Sequence, residues 1–293
     1  MDPASLPWCV LTCDGVRRFL FPTFLLLGCG QILGVSDWIV DGDAGSADVQ
    51  NDGAPPNDAG VCKSPKAGGL EGVLVQNEFC IDTTETPVVL YDTFVNDLAT
   101  DPSKGQAPEC GWNASYTPSF DPFSKDPQRA QRPISYVDWC DAVAFCKYWG
   151  KHLCGARGDG GLLALDAQAK TDQWYTACTN GTTQPYPYGQ FFDASACNAG
   201  VPSSSEGGLD TVGNPKTCIG GVPGLYDMSG NAQEWENACG TTAPDAADDT
   251  CHLRGGTFFF QSDSVTCDGI GGGHDNPRNG ASPWNTIRCC WEP

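Results

Sequence analysis

Seventeen cysteines in 293 residues are the strongest limit on what this chain can fold into. A reducing compartment would leave most of them as free thiols, and the CxxC spacing of a metal-holding protein is absent. The chain therefore reads as a product of an oxidising compartment, held together by bridges, and it needs an export signal. Arg17 and Arg18 precede the apolar run 19–27, which ends in LLLGCG at Cys29. A basic flank, a short apolar run and a small residue before the cut make a signal peptide over residues 1–28. The run is too short to span a bilayer.

Leu26-Leu27-Gly28-Cys29 resembles a bacterial lipobox, in which the cysteine is acylated and becomes the mature N-terminus. That resemblance implies lipidation of Cys29 and a place in the bacterial cell envelope. Gly30 and Gln31 follow with no Asp to hold the protein at an inner membrane, so an outer-membrane lipoprotein is expected. Plain secretion with Cys29 in a disulfide is the alternative. Cys9 and Cys13 lie before the cut. With Cys29 consumed by lipid, fourteen cysteines remain, an even number that could close into seven bridges.

Net charge is −20, which argues against nucleic acid and against an anionic membrane surface. The only membrane contact expected is the lipid anchor. Residues 30–61 hold six Asp and no Lys or Arg. Such a stretch buries too little apolar surface to offset its ordering entropy, so residues 29–61 read as a flexible acidic tether. Residues 62–293 show no second linker, no repeat and no charge run, and read as one domain. With 40% hydrophobic residues and nine Trp, the chain as a whole has the material for a core.

The first strand is expected within 73–82. A helix should follow, with Thr86 as N-cap, Pro87 at its first position and Tyr91, Phe94, Val95 and Leu98 at helical spacing. The stretch SYVDWCDAVAFCKYWG is the best helix. Ser135 and Asp138 make a capping-box pattern, Gly150 suits the left-handed C-terminal position, and Trp139, Ala142, Val143, Cys146 and Trp149 form an inward stripe. A third helix should end with Trp174 and Cys178. Beyond it the chain is rich in Gly, Pro and Asn, with short strands over 254–260 and 286–290.

One turn raises a chemical question. GLYDMSGNAQEWE at 224–236 sets Asp227 and Glu234 on either side of a Ser-Gly-Asn turn. Both carboxylates could converge with turn carbonyls on a hard cation such as calcium, which takes six to eight oxygens. A solvated Gly/Asn turn is the plainer reading, and spacing alone does not decide between them.

Five stretches in order resemble the sulfatase-modifying-factor domain, the family of the formylglycine-generating enzymes. They are FCIDTTETPVVLYDTFV, RPISYVDWCDAVAFCKYWGKHL, GLYDMSGNAQEWE, RGGTFFF and a closing IRCC, spanning most of residues 70–290. The resemblance implies a mixed α+β fold with little regular secondary structure, disulfide-rich here and related to C-type lectin domains. It implies a structural calcium at the turn, held by Asp227, Gly230, Ala232 and Glu234. A second calcium would use Asn198 and the carbonyl of Ala199, although Gly207 stands where that site's acidic ligand belongs. Gln233 replaces the Trp usual in the family.

The family's oxidases convert a substrate cysteine to formylglycine with copper(I) and dioxygen, and need two thiolates just after RGG. Here those positions are Phe260 and Val265, so copper is not expected. The resemblance also implies bridges Cys146–Cys289 and Cys178–Cys267. Cys239 and Cys251 flank a polar loop and should pair as well. Cys289-Cys290 reads as two separate bridges, with a redox-active vicinal pair as the alternative. His152, His252 and His274 are too scattered to suggest a metal site. The reading is a non-catalytic binding module for a protein or glycan, stabilised by calcium and disulfides. The alternative is an enzyme of the family with displaced catalytic residues, using Cys290 or another metal.

Overall fold

The extended stretch at 73–82 is folded back on itself. β1 (Val61–Cys62), β2 (Gly72–Val75) and β3 (Phe79–Asp82) run antiparallel in succession. Gln76 and Asn77 make the β2–β3 turn with φ of 51° and 58°. Two successive left-handed residues match the twist of a tight hairpin, so this stretch holds two strands. The computed structural model describes residues 60–98, 106–165, 171–201, 208–240, 246–269 and 275–293. The leader, Cys29 and the acidic stretch to residue 59 lie outside the described residues, as do Gly207 and His274.

Three helices follow the sequence pattern, with two changes at their starts. α1 (Val88–Leu98) begins on the Pro87 carbonyl, which accepts from the backbone N–H groups of Leu90 and Tyr91. The Thr86 hydroxyl is buried without a partner, so Thr86 is not the cap. In α2 (Trp139–Tyr148) the capping box is Asp138 and Asp141: Asp138 Oδ1 accepts from Asp141 N at 2.9 Å, and Asp141 Oδ2 accepts from Asp138 N at 3.1 Å. Tyr136, at φ 59°, kinks the chain before the helix. That shifts the box three residues beyond Ser135 and leaves the Ser135 hydroxyl free of a capping role. Gly150 takes φ 75°, the left-handed position predicted for it. α3 (Gln173–Thr179) is capped by Asp172 and ends at Asn180 with φ 50°.

β9 (Cys289–Trp291) inserts between β3 and β4 (His152–Leu153), giving a five-stranded sheet of order β1-β2-β3-β9-β4. β5 (Gln233–Cys239), β6 (Thr250–Arg254), β7 (Asp275–Pro277) and β8 (Asn285–Thr286) form a second sheet of order β7-β6-β5-β8. The strand expected over 254–260 stops at Arg254, because Gly255 and Gly256 turn the chain with φ of 81° and 71°. The strand expected over 286–290 is split: β8 belongs to one sheet and β9 to the other, and Ile287 and Arg288 cross between them.

Two cores carry the packing. In one, Tyr91 and Phe94 of α1 meet Phe145 of α2, with Trp235, Leu253 and Ile287 behind them. In the other, Val75, Phe79 and Ile81 pack on Trp174 and Cys178 of α3 and on Leu225 and Met228. The architecture is mixed α+β with little regular structure, and seven bridges stitch its loops: Cys62–Cys80, Cys110–Cys140, Cys146–Cys289, Cys154–Cys290, Cys178–Cys267, Cys197–Cys218 and Cys239–Cys251.

Candidate functional site

The 224–236 stretch runs into β5, and four residues with positive φ shape it: Gly224, Asp227, Gly230 and Asn231 at φ of 88°, 61°, 78° and 55°. Only glycine fits at 230, because a Cβ there would collide with the Asn198 carbonyl oxygen. Asn231 then acts as a hub. Its N–H donates to the Asn198 carbonyl at 2.8 Å, and its Oδ1 accepts from Asn198 Nδ2 at 2.9 Å and Asp210 N at 2.7 Å. Asn231, which lies between the candidate calcium positions of the turn, thus ties that turn to Asn198 of the second candidate site by direct hydrogen bonds.

The carboxylates of the turn face a partner that sequence reading missed. Arg288 donates through Nε to Glu234 Oε2 and through Nη2 to Oε1, each at 2.7 Å, and Trp174 Nε1 adds a bond to Oε2 at 2.6 Å. Glu85 was missed as well. Its oxygens accept from Ala232 N at 2.8 Å and Asn231 Nδ2 at 2.6 Å. A lone Arg inside the apolar run TIRCCW, and a lone Glu before PVVLY, were the available signals: such charges must be buried and paired.

Three buried carboxylates, Glu85, Asp227 and Glu234, share one guanidinium, Arg288. Burial pushes Asp227 up to about 7, with Glu234 adding repulsion and the Gly213 N–H and Arg288 opposing it. Glu85 rises well above the carboxylate range through burial, then through Asp227 and Glu234. Asp227 Oδ2 accepts from Gly213 N, whereas Oδ1 is buried with no hydrogen-bond partner.

The positions after RGG are closed by hydrocarbon. Val265 is buried with Tyr186 and Ala199, and Phe260 packs against this group beside Tyr188 and Phe192. Phe258, Phe259 and Trp284 make an edge-to-face aromatic set alongside, with Phe259 and Trp284 centroids 4.8 Å apart. Gln233 donates from Nε2 to Asn285 Oδ1 at 3.0 Å, and its Oε1 is buried without a partner. All fourteen described cysteines are in bridges, Cys290 with Cys154 and Cys289 with Cys146. His152 faces Glu292 and His252 faces Asp275, so the two described histidines serve separate carboxylates.

Residues 46–292 match the sulfatase-modifying factor enzyme 1-like domain. The chain belongs to this family. Solved structures similar to it include one described as CarF, 19% identical over 73% of this chain and 86% of that one, with a TM-score of 0.46. Variable protein 1 of Treponema denticola is 16% identical over 79% and 99%, with a TM-score of 0.48. PvdO of Pseudomonas aeruginosa is 16% identical over 80% and 90%, with a TM-score of 0.49.

Set against the sulfatase-modifying-factor pattern, the two metals fare differently. Copper(I) in the family's manner needs two thiolates, and Phe260 and Val265 supply none. For calcium at the turn, the buried unpartnered Asp227 Oδ1 is a ready hard donor. A divalent cation at the turn would also favour the ionised forms of Asp227 and Glu85, which burial otherwise holds toward protonation. Glu234 would join through the remaining acceptor capacity of Oε1, since both of its oxygens already accept from Arg288. Among the described residues no three His, Cys, Asp or Glu side chains gather around one point. The ion would therefore need the turn carbonyls of Gly230 and Ala232. At the second candidate site, Asn198 turns its amide Nδ2 to Gly208 O and Asn231 Oδ1, and Ala199 is buried against Tyr186 and Val265.

Proposed function

We propose that this chain is an exported, non-catalytic binding module of the sulfatase-modifying-factor family, recognising a protein or a glycan. The observation that carries the reading is the hydrocarbon at the two thiolate positions: Val265 is buried and Phe260 packs among Tyr188 and Phe192. Cys290, the residue a displaced oxidation would use, is spent on its bridge to Cys154. Calcium at Asp227, Gly230, Ala232 and Glu234 would hold the turn beside this face and supply stability rather than chemistry. Lipidation at Cys29 would display the domain from the outer membrane on its acidic tether; release of a Cys29→Ser variant into the soluble fraction tests the anchor.

The deciding assay incubates the purified mature protein with copper, reductant, oxygen and a sulfatase-type cysteine peptide. The peptide is then weighed. An unchanged thiol is the expected result, and conversion to the aldehyde overturns the reading. Thiol titration of the unreduced, denatured protein should find no free cysteine among the fourteen of the domain.

A further inference from the structure

A cavity of about 410 Å³, open to solvent on one side, lies between Arg132 and the 208–210 stretch, and neither Phe260 nor Val265 lines it. Its walls divide by chemistry. Asp126, Arg132, Asn198 and Asp210 supply polar groups, and Phe123 and Leu209 supply hydrocarbon. The volume falls within the roughly 300–1,000 Å³ of small-molecule sites.

Two of the polar groups are held in place with one atom left over. Arg132 donates from Nε to Asp126 Oδ2 at 2.8 Å, and from Nη1 to the Leu209 carbonyl at 2.7 Å and Asp210 Oδ1 at 3.5 Å. Its Nη2 has no partner among the described residues. Asn198 donates its Nδ2 to the Gly208 carbonyl at 3.0 Å and to Asn231 Oδ1 at 2.9 Å. Both partners are acceptors, so the amide cannot be turned round, and Oδ1 is the atom with capacity to spare. Neither Arg132 Nη2 nor Asn198 Oδ1 is buried, so a ligand can reach both. Two carboxylates against one guanidinium leave the cavity net negative, which disfavours a phosphate or a carboxylate. The guanidinium disfavours a bare metal ion. A neutral ligand carrying hydroxyls on neighbouring carbons uses the donor and the acceptor together.

We propose that this cavity binds a neutral pyranose, one hydroxyl accepting from Arg132 Nη2, another donating to Asn198 Oδ1, and the C–H face of the ring resting on Phe123. Asp126 and Asp210 keep acceptor capacity for further hydroxyls. The same ring could come from a free sugar or from the end of a glycan. The proposal rests on the binding reading and narrows its ligand class. Its test is separate from the peptide-oxidation assay, so each can fail without the other.

The experiment uses the mature, disulfide-intact protein. Glucose, galactose, mannose, cellobiose, lactose and inorganic phosphate are titrated, with calcium and with chelator, while the side-chain N–H resonances of Asn198 and Arg132 are followed. At least one sugar should shift both saturably, with a dissociation constant on the order of 1 mM for so small a ligand. Chelator should leave that shift intact, and phosphate should produce none. Asn198→Ala should weaken the sugar about five-fold, the worth of one hydrogen bond. A Cβ at Gly208, on the cavity wall, would meet no atom within 4 Å, so Gly208→Phe adds bulk without a clash and should abolish binding. Should Asn198→Ala fail to fold, Gly208→Phe still decides. Tighter binding of a disaccharide than of its monosaccharide identifies a glycan end as the source, and equal or weaker binding identifies a free sugar. No saturable shift with any sugar, loss of the shift on chelation, an equal shift with phosphate, or unchanged binding in the variants overturns the proposal.

Discussion

Arg288 and Glu234 form a two-pronged ion pair with neither side chain exposed, each nitrogen–oxygen distance being 2.7 Å. The guanidinium also donates to the carbonyls of Asp82 and Tyr226, each at 2.8 Å, so it ties both sheets to the turn. Arg288→Met removes the partner of a buried carboxylate and should cost on the order of 3–5 kcal/mol. Denaturant unfolding under oxidising conditions measures it. A loss below about 1 kcal/mol, the range of an exposed pair, would show that the cluster is wetter than its burial indicates.

Calcium should raise the melting temperature and chelation should lower it, because a ligand bound only by the folded state stabilises it. At free calcium about a hundred times the dissociation constant, the gain is about 2.7 kcal/mol. Asp227→Asn is the informative variant, since it leaves the Glu234–Arg288 pair untouched while altering the carboxylate whose Oδ1 is buried without a hydrogen-bond partner. It should shrink the calcium-dependent gain. Identical melting with calcium and with chelator would remove the ion from the turn.

A second buried cluster sets a pH dependence. Arg254 donates to Glu236 Oε2 and to Asp172 Oδ2, both at 2.9 Å. Burial pushes Glu236 up to about 8 from its ordinary 4.5, with Arg254 opposing and Asp172 reinforcing the rise. Between those two values the folded chain keeps a proton that the unfolded chain has released. Stability should therefore fall as pH rises from about 4.5 to about 8. Glu236→Gln carries a permanent neutral side chain and should flatten the fall, a difference of a few kcal/mol at the alkaline end on the order-of-magnitude scale of such shifts. Urea midpoints at pH 5 and pH 8.5 for both chains give the answer; parallel slopes would shift the blame to other groups.

The bridges should rank by the length of chain they close. Cys146–Cys289 spans 143 residues and Cys239–Cys251 spans 12. The chain-entropy account credits the longer loop with about 4–5 kcal/mol and the shorter with about 3. Replacing each pair by alanines and comparing unfolding free energies tests the order. A larger loss at Cys239–Cys251 would mean that strain or local packing outweighs chain entropy here.

Local features of the chain announced themselves, and distant partners did not. The left-handed Gly150 and the end of α3 just past Cys178 follow from spacing within a few residues, whereas Trp174, expected near that end, sits at the start of α3. Asp138 took the capping role from Ser135 because a left-handed Tyr136 intervenes, and nothing in the identity of a tyrosine signals that. At the turn, Asp227 and Glu234 were legible as an acidic pair. Their environment was not: Arg288 reaches Glu234 across 54 positions, and Glu85 reaches Asn231 across 146. That Phe260 and Val265 follow RGG could be read directly, because it depends on residue identity alone.

The seating of β9 also dictates when this domain can become whole. Cys289 and Cys290 reach Cys146 and Cys154, 143 and 136 residues upstream, and place β9 between β3 and β4. On the proposed export, Cys146 and Cys154 would enter the oxidising space long before their partners, in the company of Cys110, Cys140 and Cys178. For that interval their thiols must stay unspent or be recovered from wrong liaisons. A cell lacking a disulfide shuffler should accumulate this protein with its five-stranded sheet open along one seam.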